Sequence, residues 1–299
     1  MRNVLPTDRD SRFFESISKA VRDNDRIRPY VVVGLPLAVL VVFFLFPLFE
    51  MLRLSLMDGM GGSYTLENYQ QVFTSEQYLG VIWNSLWVTV VTTAVVVVLA
   101  YAFSYSIIRF SRRTTILLLL LVLPFWTNYI VRMYAWINIL QDDGVVNWFQ
   151  IVFLGTSDPS GYLYGWGAVI IGLVYIWLPL ATLPIYASIS GVQTDLIEAS
   201  KDLGAGPIRT FTNVTLPLTS GGLVIGTILV AIPTFGSFIT PSILGGTGQM
   251  MIGMAVELHY NQGYNWPFAA ALGTVLTTLV LIFLGIIVKI FDVGMVSKG

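Results

Sequence analysis

His259 is the sole histidine of a 299-residue chain that contains no cysteine, which leaves little from which to build a catalytic centre. A metal site or a nucleophile–base pair needs several convergent groups, and the sequence sets none around His259. The phosphate-cradling pattern G-x-x-x-x-G-K-[ST] is also missing, so this chain has no loop of its own with which to hydrolyse a nucleotide. No catalytic residue, metal ligand or bound cofactor is therefore assigned.

The remaining polar groups of interest are embedded in apolar sequence. Glu50 and Arg132 are ionisable, and a charge at bilayer depth costs about 2.5–3.5 kcal/mol on insertion scales. Arg53 lies one turn from Glu50; Asn128 precedes Arg132 by four residues and shares its helical face. Trp126, Tyr129, Tyr134 and Trp136 stand beside them, and aromatic faces attract ammonium groups. Pro179, Pro184 and Pro233 remove backbone donors inside apolar runs, and Thr234, Phe235, Gly236 and Ser237 follow the last of them. Broken helices of this kind often build transport sites. Trp126, Asn128, Tyr129, Tyr175, Trp177, Thr234, Phe235 and Ser237 form the candidate substrate pathway. Packing kinks, an interfacial aromatic belt and a Glu50–Arg132 or Glu50–Arg53 pair account for the same residues equally simply. For Arg132 the structural pairing is preferred, because a cation there repels a cationic solute.

Hydrophobic residues make up 55% of the chain and charged residues 11%, less than half the charge of a soluble domain. The reading is an integral membrane protein, all-α, with six spans near 31–55, 83–107, 114–140, 166–190, 217–240 and 268–290, each about as long as a bilayer crossing needs. Seven basic residues precede or open the first span: Arg2, Arg9, Arg12, Lys19, Arg22, Arg26 and Arg28. Arg109, Arg112 and Arg113 follow the second span, Lys201 and Arg209 the fourth, and Lys289 and Lys298 the last. The alternate loops carry Asp58, Glu67, Glu76, Asp142, Asp143, Asp158 and Glu257 and no Lys or Arg. This asymmetry places both termini in the cytoplasm. Residues 1–29 form a cytoplasmic tail, either solvated or an amphipathic surface helix. Residues 30–292 form the membrane domain with a cytoplasmic loop at 191–216, and 293–299 are a short tail.

That loop contains EASKDLGAGP, residues 198–207. Thr194 is read as an N-cap and Gly204 as the C-terminal stop. Between them Leu196, Ala199, Ser200 and Leu203 recur at helical spacing and make a narrow stripe of small and aliphatic residues. Pro207 opens a second short helix that runs toward Leu216-Pro217. A helix this short is marginal alone, so its stripe needs a partner surface, or else it is an interfacial elbow between two spans.

EASKDLGAGPIRTFTNVTLPLTSGG resembles the EAA loop of permease subunits in bacterial ABC importers. Glu198-Ala199-Ser200, Gly204, Val214 and Leu216-Pro217 fall at the family spacing, with Ser200 in place of the second Ala. The resemblance implies a type I importer permease whose Leu196, Glu198, Ala199, Ser200, Leu203, Gly204 and Pro207 dock into a cleft of a separate ATPase. It also implies a pair of ATPase subunits that hold ATP and Mg, a second homologous permease and an extracytoplasmic substrate-binding protein, in a bacterial inner membrane. LPFWTNYIVRMYAWINIL, IGLVYIWLPLATLPIYASI and NWPFAAAL are similar to the spermidine/putrescine branch, though relatives for opines, phosphonates or ferric iron share part of that likeness. Where such relatives often have Gly-Tyr-Pro, this chain has Ala100-Tyr101-Ala102, which predicts a straighter second helix. An ion-driven secondary transporter would need coupling carboxylates, for which only Glu50 qualifies, and internal repeats. An intramembrane enzyme would need a constellation that one histidine cannot supply.

Overall fold

A computed structural model describes residues 28–111, 113–154 and 161–290, so the expected tail through residue 27, Asp158 and the C-terminal tail at 293–299 lie outside the described residues. The chain divides into a unit ending at Leu54 and a unit starting at Ser55. In the first, α1 (Arg28–Leu40) and α2 (Phe46–Ser55) are joined by a π turn over Val41–Leu45. Pro47 sits just after that turn and has no N–H to return to Phe43, which fits the locally widened helix. The stretch Pro36–Ser55 is long and apolar enough to cross a membrane.

The second unit is built on α4 (Glu76–Phe110), preceded by the short α3 (Glu67–Thr74). α4 runs unbroken through Ala100-Tyr101-Ala102 for 35 residues, roughly 50 Å at the α-helical rise, longer than a bilayer core is thick. α8 (Trp166–Ser190) and α12 (Ser220–Phe235) pack against α4 and against each other. Val96, Ala100, Ala181, Ile185 and Val230 fill the seam among the three. Gly222 permits the α8–α12 approach: a Cβ there would lie 2.4 Å from Ser188 Cβ and 2.7 Å from the Pro184 carbonyl.

The third expected span is not continuous. α5 (Thr114–Val122) tightens into a 3₁₀ turn over Leu123–Trp126, and the chain then turns into α6 (Tyr129–Leu140) and α7 (Val145–Phe149). The limbs Thr114–Trp126 and Tyr129–Phe153 meet at 99°. Thr127 is extended and Asn128 caps α6, its Oδ1 accepting the Ile130 N–H at 2.8 Å. Pro124 has no N–H to carry the helical ladder across. The fifth expected span is also shorter and bent: Pro207–Leu218 and Ser220–Phe235 meet at 66°, and residues 239–244 belong to a separate α13 (Ile239–Leu244). Among the described residues four helices can each cross a membrane by length and composition, or up to six if each bent pair is one span.

α14 (Ile252–Asn261) lies against α15 (Trp266–Ile290) and α4. In the sequence, Met250, Met251, Met254 and Leu258 recur at helical spacing. Of these Met251 is buried, together with Ile252 and Ala255, and Met250 packs against the cluster of Phe235, Ile252 and Phe268. Its start is held from α4, where Ser85 Oγ accepts the Ile252 N–H at 2.7 Å. The described residues contain no strand, only an isolated bridge between Met57 and Tyr64.

Candidate functional site

Residues 191–219 form an elbow between α8 and α12. α9 (Thr194–Asp202) begins one residue earlier than expected: Gln193 is the N-cap, its side chain caps nothing, and Thr194 is already helical. The C-terminal stop is where the sequence put it. Gly204 adopts φ +81°, its N–H donates to the Lys201 carbonyl at 2.8 Å, and the Ala205 N–H donates to the Ser200 carbonyl at 3.1 Å. This pair of bonds is the Schellman closure that favours glycine at its left-handed position. Gly206 and Pro207 then start α10 (Pro207–Thr210), which passes through a π turn over Phe211–Thr215 into α11 (Leu216–Leu218). Pro207 occupies the first helical position, where its missing N–H has no cost.

Ser200 does more than keep the stripe small. Its hydroxyl lies 3.0 Å from Thr210 Oγ1 and ties α9 to α10. The bend at Thr219 is anchored to α4: Tyr101 OH and Thr219 Oγ1 are 3.0 Å apart, and the rings of Tyr101 and Tyr105 meet Phe211 edge-on at 5.7 and 6.1 Å. The elbow is thus mechanically joined to the longest helix.

Leu196, Ala199, Leu203, Gly204 and Pro207 are exposed, as is Glu198. Leu203 and Ile208 are 89% and 80% exposed. Leu196, Ala199, Ser200, Leu203, Val214 and Pro217 line an open groove of about 600 Å³. The seven residues singled out for docking are therefore brought to one compact segment, and most of them face outward.

The pathway set does not converge. Tyr129, Tyr175 and Trp177 pack around Met133, Leu140 and Ile176, with Tyr175 edge-on to Trp136 at 5.5 Å. Phe235 belongs to a different cluster, with Val72, Tyr78, Ile252 and Phe268. Trp126 and Asn128 lie on the surface, and Ser237 and Thr234 are buried. The ring of Tyr129 is already engaged: the Arg132 guanidinium carbon lies 5.7 Å from its centroid and 5.2 Å from that of Phe125. Tyr129 OH meets Thr240 Oγ1 at 2.6 Å. Glu50 pairs with Arg53 at 3.2 Å, the second of the two pairings weighed from sequence.

Sequence reasoning singled out Thr234 and Trp177 but passed over three buried threonines of α4. Thr89, Thr92 and Thr93 of α4, Thr234 of α12 and Trp177 of α8 have buried polar atoms with no hydrogen-bond partner. Other threonines, such as Thr182 and Thr227, satisfy theirs on the carbonyl four residues back. The signal was present, since 89, 92 and 93 follow i, i+3, i+4 spacing, but a threonine among valines reads as ordinary β-branched packing.

A family model described as "binding-protein-dependent transport system inner membrane component" matches residues 29–296. The chain belongs to that family. Among curated relatives, the spermidine/putrescine transport system permease protein PotB of Haemophilus influenzae is 34% identical over 251 residues, covering 82% of this chain and 87% of that protein. PotB of Escherichia coli K12 is 36% identical over 216 residues, 72% of this chain and 78% of that protein. Among solved structures, a chain of a bacterial ABC transporter involved in import of the acidic polysaccharide alginate shares the fold. Its TM-score is 0.75, at 16% identity over 92% of this chain and 98% of that one. The family that the elbow motif resembles is thus the family to which the permease belongs, and it is a multi-pass inner membrane component.

Proposed function

We propose that this permease is the membrane-spanning subunit of an ATP-driven importer of polyamines such as spermidine and putrescine. α9 and α10 face the cytoplasm and seat in a cleft of a separate ATPase, while a second, homologous permease completes a type I importer. A pair of ATPase subunits binds ATP and Mg; this chain carries out no covalent chemistry. An extracytoplasmic binding protein delivers the substrate, and both termini are cytoplasmic.

One observation carries the docking reading. Leu203 and Ile208 stand almost fully exposed on a short helix pair that is nevertheless rigidly closed by Gly204, Ser200 and Thr210. Burying a leucine or isoleucine side chain is worth about 1.5–3 kcal/mol, so a rigid helix pair presenting them is built to be covered. The polyamine assignment is supported by the names of the PotB relatives. A second reading, a solute bearing a carboxylate or phosphonate, is favoured by Arg132, whose buried Nε has no hydrogen-bond partner. Uptake of labelled putrescine and spermidine by cells with and without this chain separates the two. Equal polyamine uptake rejects the first reading and leaves docking to be judged by co-purification of an ATPase.

A further inference from the structure

α9 has a second face. Thr194, Ile197 and Lys201 recur at helical spacing on the side away from the docking groove, and they close a cavity of about 480 Å³ against the ends of α4 and α8. Arg109 enters its wall from α4, beside Tyr105 and Ile108, and Ile189 and Phe211 supply apolar surface. No carboxylate among the described residues lines the cavity. Neither Arg109 nor Lys201 makes an ion pair or a side-chain hydrogen bond among the described residues.

We propose that this cavity binds a phosphate-bearing anion, either the phosphodiester of an acidic phospholipid headgroup or free inorganic phosphate. Arg109 and Lys201 face a space that no described carboxylate lines, and phosphate oxygens accept from guanidinium and ammonium groups alike. The apolar wall beside the cations suits an amphiphile. Bound there, the anion bridges α4 to α9 and stiffens the elbow from beneath. That last effect rests on the docking reading; the binding does not.

The test uses the full-length chain in nanodiscs. In discs of phosphatidylethanolamine and phosphatidylglycerol, native mass spectrometry reads the phosphatidylglycerol retained by the wild type, by Arg109→Gln/Lys201→Gln, and by the charge-keeping Arg109→Lys/Lys201→Arg. In discs of phosphatidylethanolamine alone, phosphorus NMR reads the binding of added inorganic phosphate by the same three proteins. The neutralised variant is expected to hold the anion about tenfold less well, through loss of two charge-assisted contacts, and the charge-keeping variant to match the wild type. Loss confined to the lipid arm assigns a phospholipid; loss confined to the phosphate arm assigns the free ion. Equal binding by all three proteins in both arms overturns the proposal. Retention is read on this chain alone, so the outcome is independent of whether an ATPase co-purifies.

Discussion

His259 and Tyr78 share a hydrogen bond at 2.8 Å, and the Phe268 ring stands edge-on to the imidazole at 4.7 Å. Burial pushes the histidine pKa below its ordinary value, so the unfolded chain takes up a proton before the folded one does. Stability from this site is complete above the unfolded value of about 6.5 and is lost as pH falls through the lower folded value. Thermal unfolding in detergent is expected to show a Tm that is flat above neutrality and falls on acidification, with that fall reduced in His259→Gln. A Tm that rises on acidification would contradict the lowered pKa of this half-buried ring. Thr92 makes a second residue-scale case. Its buried hydroxyl has no partner, and an unsatisfied buried polar group costs about 1–3 kcal/mol. Thr92→Val keeps the shape and removes the group, so the variant is expected to melt higher than the wild type. An unchanged or lower Tm would show that the hydroxyl is paired in the assembled protein.

At the scale of elements, Gly204 decides whether the elbow closes. A Cβ would meet nothing within 4 Å there, but φ is +81°, so substitution costs backbone energy rather than space, about 1–2 kcal/mol. Gly204→Val is expected to leave membrane insertion intact and to lower binding-protein-stimulated ATP hydrolysis several-fold in the reconstituted complex. Unchanged stimulation would remove the docking role. This stop could be read from Gly-x-Gly-Pro, because a left-handed terminus and a proline-started helix each demand a residue type. The break after α5 was equally encoded, in Pro124 and the capping Asn128, yet the apolar run on either side hid it: hydropathy measures composition along 114–140 and is blind to direction. The packing of α14 was legible only in part. Met251 follows the apolar spacing, but the Ile252 N–H is held by Ser85, far away in sequence, a partner that periodicity does not reveal. Of the pathway residues only Tyr129, Tyr175 and Trp177 share a cluster, since which neighbour an aromatic ring meets depends on helix crossings that periodicity does not contain.

For the whole molecule, everything functional depends on which side of the membrane the elbow occupies. The proposed cytoplasmic placement rests on charge asymmetry: Arg109, Arg113, Lys201 and Arg209 lie at or near the elbow end of the bundle, while the loop after α13 carries neither Lys nor Arg. Basic residues are held back from translocation, so the bias is a statement about insertion and not about packing. The absence of cysteine makes the test clean. Ala199→Cys, on the exposed stripe, and Thr247→Cys, in the exposed loop after α13, each introduce the only thiol in the chain. A membrane-impermeant maleimide is expected to label Thr247→Cys in intact spheroplasts and Ala199→Cys only in inverted vesicles. The ATPase adds a second expectation: saturating it onto inverted vesicles protects Ala199→Cys and leaves a control thiol elsewhere on that side reactive. Labelling of Ala199→Cys from outside would put the elbow where no ATP-hydrolysing partner can reach it. The stripe would then be a contact for an extracytoplasmic protein, and α9 could not act as the part that carries force into α4.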